Sequence, residues 1–379
     1  MKNKNIYLDN HASTQIDERV YKEMVPFLTN IFGNPHSDSH SHGWVSNKFI
    51  DLSRLKIAKA INANKEEIFF TSGATESNNL VLKGLAFSQR KKNHIITCVT
   101  EHKCVLESCI FLESIGYKIT YLKVNKFGEL NINDLKKKIN SKTFLVSIMH
   151  VNNEIGTIHP IKKIGEICKK KRIFFHTDAS QSLGKVSFDV NYLNLDFASF
   201  SSHKIHGPQG VGCLFIKKRK DVKLMPLFSG GGQENGLRSG TLPTALCVGL
   251  GHAVKLIENE RLKTTKKIRN LKNIFLKILE REKINYFLNG RNTVDHNINI
   301  TFTDIKNEFL FSKLSGISLS SGSACGSGSG KPSYVLKEIG LDKNKASSTL
   351  RIGIGKKNTE KEIKYCALKI SKILTNLNQ

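Results

Sequence analysis

Chemically capable side chains stand at the ends of short apolar runs in this sequence. Glu101 and His102 follow HIITCVT, and Asn152, Asn153 and Glu154 follow FLVSIMHV. Asp178 follows RIFFHT with Gln181 three residues on, and Ser201, Ser202, His203 and Lys204 follow FASF. Lys204 lies between a histidine and the Gly-Pro turn of IHGPQG, a placement that solubility does not explain. An amine there suits a Schiff base with an aldehyde cofactor. Pyridoxal 5′-phosphate (PLP) needs such a lysine, a carboxylate for its pyridine nitrogen, donors at a helix N-terminus for its phosphate, and a plane over its ring. Lys204, Asp178, the Ala74-Thr75 turn of TSGATES and His102 can fill those four roles.

A second chemistry is written in SSGSACGSGSG, Ser320 to Gly330, where Cys325 stands among serines and glycines. Structural cysteines pack among side chains, and this one has none beside it. A Gly/Ser coil of about ten residues has an r.m.s. span of about 17 Å, enough to carry a thiol between a buried site and the surface.

The elements that must position these groups follow from the rhythm of the chain. Between Ile16 and Glu258, apolar β-branched runs (EEIFF, NHIITC, KTFLVS, RIFFHT, LDFASF, GVGCLFI) alternate with helical stretches, which predicts crossover units and a mainly parallel sheet. In such a sheet, ligands sit beyond the carboxyl ends of the strands. A long lysine-rich helix is expected from Thr244 past Arg261, and beyond it HNINITFTD, GISLSS and STLRIGIG suit a smaller α+β unit. With 379 residues, the chain exceeds the roughly 250 to 300 at which one core stops growing. Two domains are expected: a large PLP-binding domain over residues 16–260, and a small one from residues 1–15 and 261–379 that carries the mobile loop at about 320–330.

Composition excludes more than it identifies. The N-terminus MKNKNIYLDN lacks the apolar core of a signal peptide, and no run of about 18 apolar residues exists. A soluble cytoplasmic protein with no membrane association is expected. Eight scattered cysteines without C-x-x-C spacing read as thiols, not a disulfide framework or a zinc site. The net charge of +27 resembles that of a nucleic-acid binder, but the lysines are spread over helix surfaces without interleaved aromatics. Direct nucleic-acid binding is not expected, and the histidines of HSDSHSHG (His36, His40, His42) are read as polar surface, not metal ligands.

Six motifs in order, TSGATES, TEHK, SIMHVNNEIG, SSHKIHGP, LRSGTLP and SSGSAC, closely resemble cysteine desulfurases of the NifS/IscS type. These belong to the class V aminotransferases, fold-type I PLP enzymes with a mainly parallel seven-stranded sheet sandwiched by helices. The resemblance implies that Lys204 carries PLP, Asp178 pairs with its pyridine nitrogen, His102 stacks on the ring, and Gln181 and Asn153 contact the O3′ side. It implies a phosphate site of Ala74, Thr75, Ser201 and His203, with Thr241 reaching in from the other subunit of a homodimer. Arg351 matches the clamp for the substrate α-carboxylate, Asn34 a substrate-side asparagine, and Cys325 the catalytic cysteine.

By the same resemblance, Lys204 takes the Cα proton of L-cysteine and the Cys325 thiolate attacks the substrate sulfur, with His102 placed to manage the thiol proton. Alanine leaves, and the Cys325 persulfide serves an iron–sulfur scaffold protein, tRNA thiolation and other acceptors. No resident metal is implied beyond a passing iron–sulfur contact through that persulfide. Departures from the family pattern are Ser202 in place of glycine, the NHASTQ segment (Asn10 to Gln15), and Asn235 in place of arginine. The chain also stops at Gln379, before the tail with which family members help dock a scaffold, so docking is less secure than chemistry. Another class V enzyme, an aminotransferase or selenocysteine lyase, is the alternative. A non-catalytic RNA-binding or scaffold protein would predict damage at Lys204, Asp178 or Cys325, and all three are intact.

Overall fold

The apolar runs become strands buried on both faces, as a sheet covered by helices requires. The computed structural model describes residues 5–89, 91–303, 305–321 and 333–376. Its strands are β1 (Ile6–Tyr7), β2 (Ile68–Thr71), β3 (His94–Cys98), β4 (Lys118–Leu122), β5 (Thr143–Ser147) and β6 (Phe174–Asp178). They continue with β7 (Phe197–Ser201), β8 (Gly212–Ile216), β9 (Tyr286–Leu288), β10 (Asn297–Phe302), β11 (Ile317–Ser318) and β12 (Thr349–Gly353).

Strands β2 to β8 form one sheet of seven, in the order β2-β8-β7-β6-β5-β3-β4. The pairs from β7 through β6, β5 and β3 to β4 are parallel, while β8 is antiparallel to both neighbours. The reason is the connection: β7 and β8 are joined by a short turn-rich segment, and a parallel return needs a crossover of a dozen residues or more. The expected mainly parallel seven-stranded sheet is therefore present. Its edge strand β4, KITYL, escapes the apolar-run reading because it is half-exposed and starts on a lysine.

Two apolar cores flank one helix. Thr244–Arg281 is a single helix of 38 residues with no break near residue 260. Its first half packs Cys247, Leu250 and Val254 against the large sheet's core. Its second half packs Ile268, Leu271 and Phe275 against β10 and β12 residues such as Ile300 and Leu350. Between them Leu262 is 76% exposed, marking where the helix leaves one core for the other. The second core also takes in Leu8, because β1 pairs in parallel with β11 beside the antiparallel sheet β12-β10-β9. No helix among the described residues is long and apolar enough to cross a membrane.

The large unit encloses several neutral histidines. His176 is held between the Ser147 and Ser199 hydroxyls at 2.8 and 3.0 Å, whereas neither ring nitrogen of buried His159 has a partner. Burial pushes His150, His159, His176 and His206 each down to about 4. Between that value and the ordinary one near 6.5, the unfolded chain binds more protons than the folded one, so stability rises with pH across the window and is lost as pH falls through it. The expected outcome is a fall in thermal midpoint of about 10 °C between pH 6.5 and 4, with a shallower fall in His159→Leu. A midpoint flat across that window would mean that these imidazoles are not buried neutral.

Candidate functional site

The carboxyl ends of β2, β3, β5, β6 and β7 open onto one cavity of about 440 Å³. Its walls include Ala74, Thr75, His102, Asn153, Asp178, Gln181, Ser201, His203, Lys204 and Arg351. Ten residues expected to act together thus meet in one place.

At one end lies the N-terminus of the helix Ala74–Ser88, which follows β2 through Gly73. Its first-turn N–H groups have no partners within the helix and aim its positive end at the cavity. The approach is close: a Cβ on Gly212 would fall 2.6 Å from the Gly73 Cα and 2.4 Å from the Phe200 carbonyl oxygen. Only glycine lets β8 pass beneath this turn. Ser201 and His203 flank it, and burial, then the Lys204 charge, push His203 down to about 4, leaving a neutral ring whose Nδ1 meets the Ser13 hydroxyl at 3.2 Å.

Asp178, buried at the end of β6, is aligned by two donors: Asn78 Nδ2 donates to one carboxylate oxygen at 2.7 Å and the Ser180 N–H to the other at 2.9 Å. Asn78 also donates to Cys104 Sγ at 3.1 Å. His102 Nδ1 accepts from the Cys104 backbone N–H at 3.2 Å and lies 3.0 Å from Cys104 Sγ. Burial, above all, lowers the His102 pKa. The ring is therefore neutral, with its proton on Nε2. Burial likewise pushes the Cys104 thiol up to about 12, so it stays protonated.

Lys204 follows β7 in a short 3₁₀ turn, and its Nζ donates to the carbonyls of His11 and Ala12 at 2.8 and 2.6 Å. Gln181 Nε2 donates to the same His11 carbonyl at 3.0 Å. Arg351, on β12 and 1% exposed, binds Asp9 at 2.8 Å and donates to the Asn153 carbonyl at 3.1 Å, while its buried Nε and the Asn153 Oδ1 have no partner. Those unpaired polar atoms, the half-buried amine, the aligned carboxylate and the helix N-terminus fit PLP with an amino-acid substrate above it.

Residues 6–366 match the family model for aminotransferase class-V. The cysteine desulfurase IscS of Rickettsia bellii is 49% identical over 363 residues, covering 95% of this chain and 88% of that protein. Its counterpart from Rickettsia rickettsii is 48% identical over the same shares. This chain belongs to the class-V aminotransferase family. Within it, a solved NifS-like protein superposes with a TM-score of 0.91 at 37% identity, covering 98% of this chain and all of that one. A structure titled SspA in complex with cysteine superposes at 0.82 and 39% identity, covering 92% and 98%.

Some expected residues of the family pattern lie elsewhere. Asn34 and Thr241 do not line the cavity of their own chain. The Asn34 side-chain oxygen instead accepts from the His36 N–H at 3.0 Å, an Asx turn. Thr241 is exposed on a loop that Arg238 ties to Glu76 at 3.0 Å. Cys325 lies outside the described residues. The segment that carries it is nonetheless fixed on both flanks at the cavity. Ser320 exchanges backbone hydrogen bonds with Arg351, Ser333 donates to Glu154 at 2.5 Å, and Tyr334 donates to the Glu101 carbonyl. The apolar-run reading overlooks His11, Ala12, Asp9 and Asn78, whose signal lies only in DNHASTQ (Asp9 to Gln15) and in Asn78's place one turn into the helix.

Because Asn78 carries no chemistry of its own, Asn78→Ala tests its alignment of Asp178. PLP affinity is expected to fall about tenfold, as for other outer-shell partners, measured by absorbance titration of the apoprotein. Unchanged affinity would show that Asp178 holds its orientation without Asn78.

Proposed function

We propose that this chain is a PLP-dependent cysteine desulfurase, which removes sulfur from L-cysteine to give L-alanine and a persulfide on Cys325 for iron–sulfur cluster assembly and other acceptors. One observation carries the reading: Lys204, Asp178, a helix N-terminus, His102 and Arg351 surround one cavity, and the segment with Cys325 is anchored on both sides at its edge. Cys325 is four residues beyond Ser321, a span of at most about 14 Å.

Bound PLP would supply an electron sink that acidifies the substrate Cα–H. Asp178, held by Asn78 and Ser180, suits its pyridine nitrogen, the Ala74-Thr75 turn with Ser201 and His203 its phosphate, and His102 its ring face. The residues of the chain do the rest. Arg351 receives the substrate carboxylate in a planar two-pronged geometry. Lys204 takes the proton from Cα and returns it. His102, neutral with its proton on Nε2, can donate a hydrogen bond to a sulfur there. The Cys325 thiolate attacks the substrate sulfur: an S–S bond forms, the C–S bond breaks with its electron pair left on carbon, and the carbon side takes up a proton and departs as alanine.

The reading includes a homodimer. Leu28, Phe32 and Trp44 are 60%, 72% and 56% exposed on the N-terminal helical region, an apolar surface that favours a partner, and an exposed Thr241 that does not line its own cavity suits service in another. A division at residue 260, with residues 1–15 joining 261–379, is supported by the two separate cores. A cytoplasmic location fits the seven described cysteines, all of them free thiols.

The deciding experiment is a single turnover with L-cysteine in the absence of reductant. Wild type is expected to release one alanine per site and gain the mass of one sulfur on the Cys325 peptide. Cys325→Ser should lose both while keeping its PLP, and Lys204→Ala should lose the covalent PLP absorbance. Alanine from Cys325→Ser at the wild-type rate would remove Cys325 from the mechanism.

A further inference from the structure

Behind Lys204 lies a second, narrow cavity of about 20 Å³, and another amine reaches into it. Lys185 lines it together with Lys204, His11, His206 and His296. Its Nζ donates to Gln181 Oε1, four residues earlier in the chain. Gln181 Nε2 passes the contact on to the His11 carbonyl at 3.0 Å, and the same carbonyl accepts from Lys204 at 2.8 Å. Lys185, Gln181, the His11 carbonyl and Lys204 are thus one continuous run of hydrogen bonds.

Two physical consequences follow. An ammonium can only donate, so Lys185 fixes which end of the Gln181 amide is which. With Oε1 held and one Nε2 hydrogen spent on His11, a single N–H of Gln181 is left to face the main cavity. The second consequence is electrostatic. Among the described residues no carboxylate forms an ion pair with Lys185. The charged and titratable groups around it are Lys204, Arg351, His11, His206, His296 and Lys356. The acids of neighbouring elements are engaged elsewhere: Glu258 with the Gly184 N–H and Arg261, Asp17 with Arg19 and Lys356, Asp178 with Asn78 and Ser180. Its charge is therefore felt by the Lys204 amine without a counterion between them.

We infer that Lys185 is a positioning residue of this site: it locks the Gln181 amide and, through its unbalanced charge, loosens the proton on the Lys204 amine. The inference rests on the reading of Lys204 as the PLP lysine. Burial, then Lys204, then Arg351 push Lys185 itself down to about 7, below the ordinary lysine range.

The test uses the full-length apoprotein and its PLP-loaded form. Competitive acetylation with acetic anhydride across pH, read by mass spectrometry of the Lys185 and Lys204 peptides, gives the apparent pKa of each amine. In wild type Lys185 is expected to titrate near 7, and Lys204 to rise by about one unit in both Lys185→Met and Lys185→Gln. PLP affinity should fall further in Lys185→Met than in Lys185→Gln, since glutamine retains a donor for Gln181. A Lys204 titration identical in all three folded proteins overturns the inference. If neither variant folds, the wild-type reading decides alone: a Lys185 that titrates in the ordinary lysine range overturns it. Failure of PLP to join Lys204 in wild type would instead sink the proposed activity, while the apoprotein titration would still report on the two amines.

Discussion

Lys204, Arg351 and Lys185 line two adjoining cavities, with Lys204 on the wall of both, and backbone carbonyls and an amide oxygen do much of the work of holding them. For the role proposed for Lys204, an amine held tightly by a carboxylate would be a poor nucleophile or base. Carbonyls give it direction without neutralising it. They must come from a segment that is neither strand nor helix, since regular elements spend their own carbonyls internally. Residues 9–15 are that segment. They leave the second core after β1 and Leu8, cross to the carboxyl end of the large sheet, and are stitched there by Thr14 to the His203 carbonyl and by His206 to the Thr14 hydroxyl and the Gln15 carbonyl.

This crossing explains why the two cores must hold a steady relation. One supplies Lys204 and Asp178; the other supplies Arg351 and, through β1, the start of the segment that holds Lys204 in place. The helix Thr244–Arg281 binds to both and passes between them without a break. Asp9 adds a direct tie, because its carboxylate meets Arg351 while its carbonyl caps the turn into Ala12.

The parts of this arrangement that were legible in the sequence share one property: each sits directly after a run that must be a buried strand. Asp178, Lys204 and His102 could be placed at one edge because parallel strands end on one side. The half-exposed β4 had no such run, and the 9–15 segment acts through backbone carbonyls, which side-chain identity does not encode. Lys185 was unreadable for a different reason. A lysine four residues beyond Gln181 looks like surface charge unless the turn between them is known to face inward. Asn34 was legible as a motif, yet in this chain its side-chain oxygen closes a local turn.

The pairing of Ser320 with Arg351 carries a further meaning. The strand that carries Arg351 and the described residues that lead to the Cys325 segment are joined by two backbone hydrogen bonds. A displacement of Arg351's backbone cannot leave Ser320 where it was. If Arg351 and Cys325 act as proposed, recognition and delivery are geared to one another, because the residue proposed to bind the amino acid is paired through its backbone with the last described stretch before Cys325.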